Sequence, residues 1–265
     1  MSDGTGSNPK SGGSGDMGPR VVIVTGGSRG IGAAVARAAA RQGYAVAVNF
    51  ASDAVAAQSV VQAIVSSGGV AKAYRADISK EEDVVNLFRD VEQELGALSE
   101  LINNGGVTAG FSRVDEVSAA ALSHVFAVNV IGAFLCCREA VRRMSRKHGG
   151  RGGSIVNISS RAAQLGGSGE WVHYAATKGA LDTLTVGLAR EVAGEGIRVN
   201  AVAAGLIDTG LHAAAGKPDR ARQLAASIPV GRPGSPDEVA EAVLWLISPQ
   251  AAYVTGAIVP VSGGR

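Results

Sequence analysis

Between residues 19 and 265, short apolar runs alternate with stretches whose apolar residues recur at helical spacing. No other feature constrains the fold as tightly. Residues 21–24, 45–48, 70–74, 98–102, 154–158, 197–202 and 257–261 read as strands. Residues 31–41, 55–65, 81–95, 119–146, 174–191 and 236–246 read as helices between them. Strands that are apolar throughout belong in a parallel sheet covered on both faces. Right-handed crossovers then give an α/β fold, a doubly wound sheet of about seven parallel strands. No linker or repeat breaks the alternation, so residues 19–265 are expected to form one domain. Residues 1–18 are mostly Gly, Ser, Asp, Asn and Pro and are expected to be a disordered tail.

Composition removes several function classes. Hydrophobic residues make up 46% of the chain, enough for a sizeable core. A net charge of +2 is too mild to indicate nucleic acid or an anionic membrane. Aromatics are 4%, which argues against base-stacking platforms. No apolar stretch is expected to reach transmembrane length, and the N-terminus lacks the apolar core of a secretory signal. Cys136 and Cys137 are adjacent, forming neither a disulfide framework nor a metal-ligand spacing. A reducing cytoplasm is the expected setting.

Two stretches carry chemistry. The first is Thr25-Gly26-Gly27-Ser28-Arg29-Gly30-Ile31-Gly32, between the first strand and the first helix. Glycines let a backbone turn tightly and approach a ligand closely. The amides and dipole of the helix N-terminus then suit an anion such as a pyrophosphate. The second is Tyr174-Ala175-Ala176-Thr177-Lys178. Residues four apart on a helix share a face. A phenol has a pKa of about 10, and a nearby ammonium favours its phenolate. The pair is a candidate acid/base unit whose phenol is expected to be tuned downward.

The glycine spacing is Gly-x-x-x-Gly-x-Gly at Gly26, Gly30 and Gly32. Together with Asn103-Asn104-Gly105-Gly106, Asn129, Ser160, Tyr174 and Lys178, it resembles the short-chain dehydrogenase/reductase family over residues 20–265. Within that family the chain is similar to the branch of 3-oxoacyl-carrier-protein reductases and glucose 1-dehydrogenases. The resemblance implies a Rossmann-type fold and an oxidoreductase that exchanges hydride between a nicotinamide and a carbonyl or secondary alcohol. It implies a catalytic tetrad of Asn129, Ser160, Tyr174 and Lys178. Tyr174 would transfer the proton, Ser160 would donate to the carbonyl oxygen, and Asn129 would anchor a relay water. Ser159 is expected to be packing. A non-catalytic redox-sensing regulator is the alternative, but such relatives often lack the tyrosine or the lysine.

The same resemblance assigns cofactor contacts to Gly26, Ser28, Arg29, Gly30, Ile31, Gly32, Ser52, Asp77, Ile78, Asn104, Gly105, Ile207 and Thr209, besides Tyr174 and Lys178. NAD enzymes carry an acid at the end of the second strand, where this chain has Phe50. Asp53 reads as a helix cap. Arg29 and Ser52 suit a 2′-phosphate, so NADP(H) is favoured over NAD(H). Ala204 stands where the family has proline and is expected to loosen the following loop. Residues 208–227 would form the substrate lid. Gln164, Leu165, Glu170, Trp171 and His173, with Leu206, Leu211, His212 and Leu224, would line the pocket. The resemblance further implies a homotetramer through the long helix and the Tyr174 helix, with the cysteines suiting that packing. The basic group Arg142, Arg143, Arg146, Lys147 and Arg151 is either a solvated helix end or a dock for an acyl carrier protein.

Overall fold

The computed structural model describes residues 19–265, apart from the side chain of His212. The tail expected over residues 1–18 lies outside the described residues. Seven strands form one sheet: β1 (Val21–Val24), β2 (Ala45–Phe50), β3 (Val70–Arg75), β4 (Leu98–Asn103), β5 (Gly153–Ser160), β6 (Ile197–Ala204) and β7 (Ile258–Val261). Their order is β3-β2-β1-β4-β5-β6-β7 and every pairing is parallel. The chain winds outward from β1 to β3, then crosses to β4. The direction therefore reverses between β1 and β4, where open α/β sheets hold ligands.

Helices α1 (Gly30–Arg41) and α2 (Ala54–Ser66) cover one face, while α3 (Glu81–Leu95) covers the other. Asp53 caps α2 by accepting from the Ala56 N–H at 2.9 Å, as the sequence suggested. The sheet extends beyond the apolar runs because polar residues finish β4 and β5 inside the core. Asn103 Nδ2 donates to Asn157 Oδ1 at 3.0 Å, and Asn157 Nδ2 donates to Thr185 Oγ1 at 2.8 Å. Ala204 is a paired residue of β6, opposite Ser160 on one side and Val261 on the other. Without proline the ladder runs through that position.

The long helix is continuous over 26 residues, Ala119–Met144, and is apolar enough to cross a membrane by length and composition. That corrects the expectation that no stretch reaches such length. One side of it packs on β4, α3 and the Tyr174 helix. Its parts are α4 (Ala119–Phe126), a wider π turn at Ala127–Gly132, and α5 (Ala133–Met144). Cys136 and Cys137 lie in this chain's own core, at 0% and 2% exposure, so they are not interface residues. The basic helix end is also corrected. Glu139, buried in α5, binds Arg143 at 2.6 Å, Arg142 at 2.8 Å and Arg138 at 3.1 Å. Arg143 reaches Glu92 as well, at 2.9 Å. Among the described residues, only Arg146, Lys147 and Arg151 of that group have no acidic partner.

The remaining helices are α6 (Ala162–Leu165), α7 (Val172–Val192), α8 (Gly210–Ala214), α9 (Arg220–Gln223) and α10 (Pro236–Ile247). A capping box at Ser235 and Glu238 starts α10, which packs beside α1.

At the amino ends of the strands, one row of the sheet is polar. Glu100, Ser154 and Arg198 are register neighbours on β4, β5 and β6. Glu100 Oε2 and Ser154 Oγ are buried without a hydrogen-bond partner among the described residues, and Tyr44 lies nearby. Burial pushes the Glu100 carboxyl up to about 8, outweighing the charges of Arg20 and Arg198. A carboxyl that holds its proton more tightly when folded contributes full stability below the ordinary carboxylate range. That contribution is lost as pH rises toward about 8. Glu100→Gln is therefore expected to raise the thermal midpoint at pH 8, with the gain vanishing near the ordinary carboxylate pKa of about 4. Melting both proteins across that range checks this, and a gain of constant size would refute the titration.

Candidate functional site

The glycine turn closes against the end of β4. Gly26 and Gly30 take positive φ, +59° and +54°, which favours glycine. A Cβ at Gly32 would come within 2.4 Å of Gly26 O and 2.5 Å of Asn104 Nδ2. Thr25, completely buried, holds the turn in place. Its Oγ1 accepts from the N–H groups of Asn104 at 3.0 Å and Gly105 at 2.9 Å, and donates to Ile102 O at 3.3 Å. Asn104 Nδ2 donates to the carbonyls of Thr25 and Gly26, each at 2.9 Å. From β2, Asn49 Oδ1 accepts from Gly26 N–H at 3.3 Å. The amide group of Asn104 is thus spent on holding the turn. Thr25 and Asn49 carried no role in the sequence reading. Their signal was present, since each is a polar residue at or near the end of an apolar strand.

Arg29 is the N-cap of α1 and offers no side-chain cap. The N–H groups of Gly30, Ile31 and Gly32 make no hydrogen bond among the described residues. Three donors and the positive end of the helix dipole suit an anionic group. Ser28, Arg29, Gly30 and Thr209 line one cleft of about 460 Å³, together with Arg37 and Asp208. Thr209 also caps α8, accepting from Leu211 N–H at 3.4 Å. Ile207 is buried, and its own N–H and C=O make no hydrogen bond among the described residues, between the Leu206 and Asp208 bridges to Gly234. These unpaired amides fit a dinucleotide.

Ser52 and Asp77 line a second cleft, of about 550 Å³, beside the edge strand β3. Phe50 is buried, leaving no acid at the strand end. Asp77 Oδ1 accepts from the Ser79 hydroxyl at 2.7 Å, which holds its carboxyl below the usual range. Ile78 is less open than expected: its side chain packs beneath Gly105 and it lies against Gly132.

The remaining candidates converge where β4 and β5 end. Lys178 Nζ lies 5.6 Å from the Tyr174 ring centroid and donates to Ile158 O at 2.7 Å. A Cβ on Gly106 would sit 3.6 Å from Lys178 Nζ and 3.3 Å from Asn129 Oδ1. Tyr174 and Lys178 are both buried. Burial pushes the Tyr174 phenol up to about 12, with Ser160 pulling it partly back. Burial also pulls the Lys178 ammonium down to about 8, against the charge of Asp182. The expectation of a lowered phenol is therefore corrected: desolvation outweighs the hydrogen bond from Ser160.

Asn129 falls in the π turn and faces inward. It pairs with the Val107 backbone, donating to its C=O and accepting from its N–H, both at 2.8 Å. It also donates to Thr177 Oγ1 at 3.0 Å. Its direct partners tie the long helix to α7 and to the loop after β4. Ser159 is more than packing: its hydroxyl donates to Asp182 Oδ1 at 2.5 Å.

Several residues expected to line the pocket are engaged elsewhere. Gln164 donates to Asp182 Oδ2 at 2.9 Å. His173 is buried, with Nε2 2.8 Å from Thr108 O. Glu170 pairs with Arg220 of α9. Leu206 is buried, and Leu165 is half exposed. Trp171 stacks on Phe111 at 4.5 Å and tilts onto Tyr174 at 5.2 Å. Phe111 and Arg220 were not anticipated, because only the folded loops bring them together.

The reversal of strand order, the glycine turn and the tyrosine–lysine group define an α/β oxidoreductase of the dinucleotide-binding class. Comparison with known proteins narrows this. Residues 26–265 match the family model described as Enoyl-(Acyl carrier protein) reductase. The chain is 49% identical to the uncharacterized oxidoreductase YgfF of Escherichia coli, over 92% of this chain and 99% of that one. It is 41% identical to 2-(S)-hydroxypropyl-CoM dehydrogenase 3 of Xanthobacter autotrophicus, covering 92% and 95%. A dehydrogenase/reductase crystal structure from Sinorhizobium meliloti superposes with a TM-score of 0.86 at 37% identity, covering 94% and 95%. The chain belongs to the short-chain dehydrogenase/reductase family.

Thr25→Val keeps the side-chain shape and removes the acceptor of two N–H groups. It is expected to cost about 1–3 kcal/mol, read as a lower urea midpoint. A loss below about 0.5 kcal/mol, within the range of ordinary surface substitutions, would show that the hydroxyl does not hold the turn.

Proposed function

We propose that the chain is an NADP(H)-dependent oxidoreductase acting on a small carbonyl compound or secondary alcohol, with Tyr174 as proton donor and acceptor. The observation that carries this reading is the buried Tyr174–Lys178 pair, with half-buried Ser160 beside the phenol. The named dehydrogenases and reductases among its relatives support the reaction class.

Tyr174 holds its proton until charge develops on the substrate oxygen, then gives it up. Ser160 donates a hydrogen bond to that oxygen, where preorganised donors act most strongly. Lys178, anchored on Ile158 O, keeps a cation close to the phenol. Asn129 holds Val107, and through it the loop that walls the site. The nicotinamide supplies the hydride when bound. Gly26, Ser28, Arg29, Gly30, Ile31 and Gly32 would hold its phosphates. Ser52, Asp77, Ile78, Asn104 and Gly105 would hold the adenosine end, and Ile207, Thr209 and Lys178 the nicotinamide end. Arg29, exposed and with no acidic partner among the described residues, supports the 2′-phosphate reading, as does the absence of an acid at Phe50. Free, buried thiols fit a cytoplasmic enzyme.

Arg142 and Arg143 are paired within the chain, which leaves Arg146, Lys147 and Arg151 as the cations open to an acyl carrier protein; we favour a free small-molecule substrate. We also propose a homotetramer. Leu122, Phe126, Ile131 and Phe134 form an exposed apolar stripe on the long helix. On α7, Gly179 and Gly187 present an open surface of small residues. Sedimentation of a lone 26.6 kDa species at micromolar concentration would remove this assembly.

Tyr174→Phe is expected to cut turnover at least about 100-fold while NADPH still binds; wild-type kcat would take Tyr174 out of the mechanism. The parent should bind NADPH more tightly than NADH. Arg29→Ala should weaken NADPH by about tenfold or more and leave NADH nearly unchanged. Equal affinities in the parent, measured by fluorescence titration, would refute the phosphate contact.

A further inference from the structure

The lid brings more positive charge to the site than proton transfer requires. Arg220 is buried at 7% exposure, and its guanidinium lies 4.9 Å from the Trp171 ring centroid and 5.6 Å from that of Phe111. Lys217 Nζ lies 4.1 Å from the Phe111 ring centroid. Trp171 in turn touches Tyr174, so one aromatic ring separates the guanidinium from the proposed proton donor. Aromatic faces stabilise cations, and more so when water is excluded.

One carboxylate answers these two cations. Glu170 binds Arg220 through both oxygens, and Lys217 Nζ lies 3.8 Å away. Burial pushes the Glu170 carboxyl up, but Arg220 and Lys217 outweigh it and hold it below its usual range. Arg265 adds to the same positive field. The group Glu170, Lys217 and Arg220 keeps one positive charge in surplus. A latch that merely closed the lid would need a single pair. The surplus falls on Lys217, which is half exposed and open to a further anion, while Arg220 is already paired with Glu170.

We propose that Lys217 and Arg220, backed by Phe111 and Trp171, form an anion-recognition subsite. The substrate class is then a short ketone or secondary alcohol carrying a carboxylate or sulfonate a few bonds from the reacting carbon. Glu170 occupies part of the subsite in the free enzyme and is displaced from Arg220 when the substrate anion binds. This inference rests on the reading of Tyr174 as the proton donor. The planar guanidinium supplies two parallel donors to an oxyanion, and the lysine adds a mobile point charge.

The test uses the full chain with NADPH and three ketones: 2-pentanone, 4-oxopentanoate and 3-oxobutane-1-sulfonate. The two anions are expected to exceed 2-pentanone in kcat/KM by about tenfold or more, chiefly through KM, with the gap narrowing as salt rises. Lys217→Gln and Arg220→Gln should lower kcat/KM for the anions far more than for 2-pentanone. Glu170→Gln should lower KM for the anions by removing their competitor. Calorimetry of 4-oxopentanoate on the NADP-loaded chain should show saturable binding that Lys217→Gln weakens; its absence overturns the subsite even if turnover is slow. Lys217 is half exposed, so its variant serves if Arg220→Gln fails to fold. Equal use of neutral and anionic ketones by the parent, or equal losses for both in the variants, overturns the subsite and leaves Tyr174 untouched. No NADPH oxidation with any of them, despite bound 4-oxopentanoate, overturns the Tyr174 reading instead.

Discussion

The hydroxyl of Thr25 joins the two halves of this site. It lies at the end of β1 and takes both N–H groups where the chain leaves β4. Those strands flank the place where winding reverses, so their carboxyl ends open a crevice that helices do not cover. Gly26 packs so closely on Gly105 that an added Cβ would stand 2.9 Å from its Cα. One residue further along, Gly106 borders Asn129 and Lys178. The glycine turn and the proposed proton-transfer group are therefore set by a single backbone junction. A shift of the turn moves both.

Asn129 shows how the helices are tied to that junction. A regular α-helix presents a given side chain once per turn, at fixed angles. The wider turn at Ala127–Gly132 changes that phase, and π turns recur at functional sites. Here it lets one amide grip both backbone groups of Val107 and still reach Thr177. A second polar chain, Asn103–Asn157–Thr185, crosses from β4 through β5 to α7. Buried amides are stabilising only when paired, so these residues fix register where apolar side chains would tolerate slippage. Both chains end on α7, the helix that carries Tyr174 and Lys178.

Most of the architecture was legible because continuous apolar strands and helical periodicity are local signals. Crossover handedness implied a doubly wound sheet, while the order of its strands is seen in the structure. The glycine turn and the tyrosine–lysine spacing were legible for the same reason: each is a short motif whose geometry is set by neighbours in sequence. What escaped depended on contacts across many residues. Thr25 meets Asn104 only after β1 and β4 pair, and Asn49 reaches Gly26 only across the sheet. Glu170 and Arg220 are separated by 50 residues and meet through the lid. Spacing put Tyr174 and Lys178 on one face, but it carried no information on how deeply that face is buried.

That burial decides what the pair can do. Desolvation disfavours charge in either group, so it raises the phenol and lowers the ammonium together. The phenol therefore keeps its proton across the neutral range and stands ready as an acid. The lysine is drawn down to about 8 by burial, with the nearby Asp182 favouring the cation. Asp182 is in turn held by Ser159 and Gln164, which lower it against the burial that raises it. The acid at the centre is thus poised by a relay that runs from strand end to helix face. In the proposed mechanism its proton would leave when negative charge appears on an oxygen beside Ser160, because only then would deprotonation stop creating a lone charge in a dry site.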